Sequence, residues 1–176
     1  MLKRIVCLIG AALGGATLSQ APEYSQQYTQ RLAGAVDELT AIIAQFDQDA
    51  ARFGLTRQEG LERYQASADG FLTERGISME TVFNRHERLS AQLADLRQAP
   101  AGTQLFEIAR YFDTEVGAAA LEDFEPAVPL TVVGLAYVIA GLAAGFAVFW
   151  VLASIIGAPF RRRRSRVKIS RAERRL

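Results

Sequence analysis

Between Glu125 and Arg161 the chain runs for 35 residues without a charge, and from Leu130 to Gly157 it is almost entirely Leu, Val, Ile, Ala, Gly and aromatic residues. At about 1.5 Å per residue this stretch makes a helix of about 42 Å, against a hydrocarbon core of about 30 Å, so it is long enough to cross a bilayer with tilt. A core helix of a soluble domain keeps a polar face, and this stretch has none. Residues 127–158 are therefore read as a C-terminal transmembrane helix.

The formal charge of the whole chain, +1, hides a division. Residues 20 to 128 hold 9 basic against 18 acidic residues, a net charge of −9, whereas the ends are basic. Lys3 and Arg4 precede the first apolar run. The tail, residues 159–176, includes Arg161, Arg162, Arg163, Arg164, Arg166 and Lys168 and only one acid, Glu173. Basic flanks stay on the cytoplasmic side of a membrane. The expected topology is multi-pass, with both termini in the cytoplasm and residues 23–126 translocated, which in a bacterium means the periplasm.

The N-terminal stretch Ile5 to Pro22 is an 18-residue uncharged run, about 27 Å if helical, which is short for a span. It is open to two readings. A basic start, a short apolar core and the small residues of Ser19-Gln20-Ala21 fit a cleavable signal peptide. Against cleavage, Pro22 would follow the cut directly, and Gly10 and Gly14 form a GxxxG face able to pack closely on another helix. A retained helix or signal anchor over residues 1–22 is the stronger reading. Cys7 lies in this segment and is the chain's only cysteine, so no disulfide can staple the translocated domain.

The middle of the chain reads as helices throughout. Leu32, Val36, Leu39, Ile43, Phe46, Ala50 and Phe53 repeat at alternating 4-3 spacing, one face of a long helix ended by Gly54. Thr56-Arg57-Gln58-Glu59 is a capping box opening a second helix, with Leu61, Tyr64, Ala68 and Phe71 inward and Gly76 as its stop. Ser78 is the expected cap of a third, with Val82, His86, Leu89, Leu93 and Leu96 inward. Ala99-Pro100-Ala101-Gly102 turns the chain into a fourth, carrying Leu105, Ile108, Phe112, Val116 and Leu121 and stopped by Pro126 and Pro129. The fold class expected is all-α: two transmembrane helices flanking an extracytoplasmic helical bundle, or a coiled-coil hairpin sharing its seam with a partner.

The run Leu18 to Leu32 (LSQAPEYSQQYTQRL), continuing through Gly34-Ala35-Val36-Asp37-Glu38-Leu39, together with Phe124-Glu125-Pro126-Ala127-Val128-Pro129-Leu130-Thr131, resembles a family of bacterial membrane proteins known as domain of unknown function 2937. The resemblance covers nearly the whole chain and implies the inner membrane of a Gram-negative bacterium. It implies no catalytic or binding residue.

Chemistry is sparse. One histidine, one cysteine within an apolar segment, and no His, Cys and carboxylate cluster at ligand spacing give no metal centre and no catalytic constellation, so no cofactor is expected. Gly10 to Thr17 lacks the Lys-Ser/Thr of a phosphate loop. His86 is read as a structural residue rather than a pH sensor. Asp47, Asp49, Glu59 and Glu62 lack the order of a calcium loop and read as a solvated face. Tyr24 and Tyr28, just past the first span, read as interfacial anchors.

The residues singled out are instead the small ones. Gly134, Gly141 and Gly145 in the long span, with Gly10 and Gly14 in the short one, offer faces for helix–helix packing. The tail basic residues are read as a topogenic signal that also contacts anionic lipid headgroups, with disorder expected beyond Arg166 and no nucleic-acid partner expected. The functional expectation is a non-enzymatic, membrane-anchored interaction or accessory protein whose helical domain meets a protein partner or a second copy. A sensory module acting through a separate partner is the alternative.

Overall fold

A computed structural model describes the backbone of residues 2–100 and 102–173 and the side chains of residues 3–100 and 102–156. Among the described residues there are helices and no strands: α1 Leu2–Ser19, α2 Ala21–Arg52, α3 Arg57–Gln65, α4 Gly70–Gln98, α5 Gln104–Arg110, α6 Thr114–Glu122 and α7 Val132–Glu173. The chain divides into two compact units, Met1–Pro22 with Pro126–Leu176, and Glu23–Glu125.

The first unit is a hairpin of α1 and α7. Lys3 meets Ser154 and Gln20 meets Ala127, so the two helices run antiparallel. The non-helical entry to α7 is held by side chains. Gln20 clamps Ala127 with its amide, Nε2 donating to the Ala127 carbonyl at 3.1 Å and Oε1 accepting from the Ala127 N–H at 3.1 Å. Thr131 Oγ1 accepts from the Gly134 N–H at 3.0 Å and caps α7. Such pairing matters where water is scarce, because an unpaired peptide group in hydrocarbon costs several kcal/mol. α7 runs on to Glu173, where disorder was expected; once a helix is nucleated, each further residue adds a hydrogen bond at little cost.

The second unit contains two apolar clusters. Tyr28, Leu32, Leu89, Leu93, Leu96, Ile108, Val116 and Ala120 join α2 and α4 to α5 and α6. Phe46, Leu61 and Met79 join α2 and α4 to α3. Phe46 packs edge-on against Phe83 at 5.4 Å between ring centroids. α2 ends as its sequence foretells: the Leu55 N–H reaches the Ala50 carbonyl and the Gly54 N–H reaches that of Ala51, both at 3.0 Å. This closing turn needs a left-handed residue, and Gly54 supplies φ 71°. The Thr56 capping box is present, with the Glu59 N–H donating to Thr56 Oγ1 at 3.3 Å and the Thr56 N–H to Glu59 Oε2 at 2.7 Å.

Three boundaries differ from the sequence reading. The second expected helix stops at Gln65 and α4 starts at Gly70, capped by Asp69, whose Oδ1 accepts from the Phe71 N–H at 2.9 Å. Gly76 is therefore inside α4. A Cβ there would lie 3.0 Å from Tyr64 Cβ, so this glycine admits α3 against α4 rather than breaking a helix. Ser78 is interior too and donates to the Glu74 carbonyl, while Phe71 and Leu121, expected inward, are 77% and 66% exposed. The fourth expected helix is two, because Asp113 interrupts it and caps α6 by accepting from the Glu115 and Val116 N–H groups.

Candidate functional site

In the helical domain the polar centre is Tyr28, which is fully buried and so belongs to the core rather than to an interface. Its hydroxyl accepts from Gln92 Nε2 at 3.0 Å and from the Asp113 N–H at 3.1 Å, tying α2, α4 and the start of α6 to one oxygen. Phe112 stacks on the Tyr28 ring at 6.0 Å and lies directly over Gly117, where a Cβ would collide with its ring. Arg85 then closes the outside of this joint, with Nη1 2.5 Å from Glu115 and Nη2 3.6 Å from Asp113. The last residues of the domain are fastened back onto α2. Gln27 clamps Glu125 through its amide, Tyr24 meets Phe124 edge-on at 6.2 Å and Arg31 pairs with Asp123. Thus residues from the two sequence blocks that carry the family resemblance meet within this domain.

The other residues singled out have separate partners. His86 Nε2 lies 2.9 Å from Thr40 Oγ1, and since that hydroxyl donates to the Val36 carbonyl at 2.7 Å, the imidazole is the donor. Asp47 takes a two-pronged bond from Arg57, Nε to Oδ1 at 2.8 Å and Nη2 to Oδ2 at 2.6 Å. The guanidinium holds the Asp47 carboxyl below its ordinary range, and the bonds to Thr56 do the same for Glu59. Asp49 pairs with Arg52, and Glu62 accepts from Gln58. Among the described residues, no group of three His, Cys, Asp or Glu is placed to hold a metal ion.

In the hairpin, four of the five glycines singled out from the sequence, Gly10, Gly14, Gly141 and Gly145, lie on one seam. A Cβ on Gly14 would strike the Gly141 carbonyl and come within 2.9 Å of Gly145 Cα. A Cβ on Gly145 would strike the Gly10 carbonyl, and Gly10 itself lies under the Phe149 ring. The backbones touch, which only residues without side chains permit. Gly15, absent from the motif reading, sits against Leu142. Gly134 does not join them. Leu18 already meets Gly141, α1 ends at Ser19, and the nearest atoms to Gly134 are those of Pro129 and Thr131 in its own first turn. Cys7 is 1% exposed in the same unit. Arg161, Arg162, Arg163, Arg164, Arg166 and Lys168 lie outside the described side chains.

Two stretches are long and apolar enough to cross a membrane, one within Lys3–Arg52 and the other Val132–Ile156, and only 6% of the apolar window of the latter is buried inside the protein. A helix so apolar and so uncovered is not the core helix of a water-soluble domain. The chain thus falls in the class of all-helical proteins that carry two helices able to span a membrane. It belongs to the family described as protein of unknown function (DUF2937), whose model matches residues 2–162. No curated protein and no solved structure matches the chain.

Proposed function

We propose that this is a non-enzymatic accessory protein of a bacterial inner membrane, anchored by a retained α1–α7 hairpin with both termini in the cytoplasm, whose periplasmic helical domain docks on a protein partner. The observation that carries the reading is the set of large apolar side chains left open on that domain: Phe53 is 75% exposed, Phe71 77%, Phe106 71% and Leu121 66%. Isolated exposed apolar residues are ordinary, but aromatic rings are costly to leave wet and are favoured anchors of interfaces. Phe53 also borders a cleft of about 260 Å³ lined by Phe46, Ala50, Leu55 and Tyr64 together with Asp49 and Arg63, a receptacle for a partner's side chain with an apolar body. The glycine seam supports retention of α1, since its close packing has no use in a segment that is cut away.

The test places a photo-crosslinking amino acid at Phe53, Phe71 or Phe106 in the full chain in its native membrane. A discrete adduct from these positions, absent from exposed Glu87, is the expected result. No adduct from any of the three would overturn partner docking.

A sensory reading has one observation of its own. A cleft of about 440 Å³ is lined by Arg88, Gln92, Asp95, Tyr111, Phe112 and Asp113, so a ligand there would touch the joint centred on Tyr28. A ligand-dependent rise in melting temperature, lost in Arg88→Ala, would move the assignment to it.

A further inference from the structure

Lys3, in the first turn of α1, stands in an arrangement that serves no structural charge pair among the described residues. Its ammonium donates to Ser154 Oγ at 2.8 Å and stands 4.5 Å from the centre of the Trp150 ring. Ser154 Oγ in turn donates to the Trp150 carbonyl at 2.6 Å, so its lone pair is turned to the lysine. The ring face and one acceptor occupy part of the ammonium, which has three donors. None of the described ion pairs involves Lys3. The sequence explains why: within Met1–Pro22 and Pro126–Leu176 the first acidic residue is Glu173. Among its described side chains the hairpin holds an exposed cation and no carboxylate to neutralise it.

Depth supplies the second argument. Ser154 lies seven residues, about 10 Å along the helix, before Arg161. The distance along α1 from Lys3 to Gln20 is about 26 Å, near the thickness of a hydrocarbon core. Lys3, Trp150 and Ser154 therefore sit at one edge of the bilayer, where Trp is at home and where the abundant anion is a phosphate. Resting on the membrane reading above, we infer that Lys3, Ser154 and Trp150 form a binding site for the phosphate of an anionic phospholipid. Lys3 supplies the charge, Ser154 and Trp150 fix its position, and the acyl chains run down the exposed apolar face of α7.

Trp150 is the only tryptophan in the chain, so its fluorescence reports this site alone. The full chain is placed in nanodiscs of phosphatidylcholine with increasing phosphatidylglycerol. The expected result is a saturable change in Trp150 emission, with a midpoint raised about fivefold by Lys3→Gln, one lysine's share of headgroup attraction, and restored by Lys3→Arg. The tail arginines are present in every variant, so an unchanged midpoint in Lys3→Gln assigns the response to them and overturns the site. Inorganic phosphate added to pure phosphatidylcholine discs is expected to leave the emission unaltered; reproduction of the change by phosphate would replace the lipid with a free anion and overturn it too. Bromine-labelled acyl chains separate this from failure of the membrane reading, because quenching of Trp150 establishes immersion whatever the headgroup response.

Discussion

Tyr28 shows how much one polar atom can hold together. Two donors from different elements converge on its fully buried hydroxyl, and an unpaired buried donor costs about 1–3 kcal/mol. Tyr28→Phe keeps the ring stacked on Phe112 but strands both donors, so a loss of that size is expected in thermal unfolding of the detergent-solubilised chain. Tyr24→Phe, at a hydroxyl that receives no such bond among the described residues, is expected to stay within about 0.5 kcal/mol of the parent. Equal losses in the two variants would remove Tyr28 from the centre of the domain.

Asp47 and Arg57 give a pH dependence with a definite sign. Asp47 and Glu59 both titrate below their ordinary range in the folded chain, so their contribution is complete at neutral pH and is lost as pH falls through the lowered values, below about pH 4. The pair is half exposed, which limits it to about 0.2–1 kcal/mol. Asp47→Asn should therefore be less stable than the parent by that amount at pH 7, with the gap closing towards pH 2. A gap that persists at pH 2 would assign the effect to something other than the ion pair.

At the scale of elements, the glycine seam makes α1 and α7 a unit. Gly145→Ile puts a branched side chain where the Gly10 carbonyl already lies, and the helices must part. Cys7, 1% exposed, is the natural reporter of that opening. Labelling by a membrane-permeant maleimide is expected to be at least tenfold faster in Gly145→Ile than in the parent, a shift of about 1.4 kcal/mol in opening. Gly134→Ala, which perturbs only the first turn of α7, should leave the rate unchanged. The same rate in all three would mean that the seam does not hold the hairpin.

Elements with strong local signals were legible in the sequence. The Thr56 box and Gly54 stop name their own residues, and the 4-3 stripe of α2 is long enough to survive a misplaced member such as the exposed Phe53. What failed was punctuation decided by distant neighbours. Gly76 looks like a breaker until α3 is seen lying on it, and Ser78 looks like a cap only if Gly76 breaks the helix. Asp113-Thr114-Glu115 is a cap signal in its own right, masked in the sequence by the apolar spacing of Phe112 and Val116 that runs through it. Tyr28 is ambiguous in the sequence because a tyrosine beside an apolar span has two homes, interface and core. Only the approach of Gln92 and Asp113, 64 and 85 residues away, decides between them. The glycine seam was half legible: two GxxxG patterns are visible, but which glycines face each other depends on where α1 ends.

At the scale of the whole molecule, the charge distribution and the two apolar helices support the topology proposed above, a hairpin anchor with basic ends in the cytoplasm and an acidic domain in the periplasm. The most direct measurement places alkaline phosphatase, active only in the periplasm, in the exposed turn after Gly54, and a fluorescent protein that matures only in the cytoplasm after Leu176. The account predicts high phosphatase activity from the first fusion and bright fluorescence from the second. An inactive phosphatase at Gly54 beside a bright C-terminal fusion would put the helical domain in the cytoplasm and contradict it.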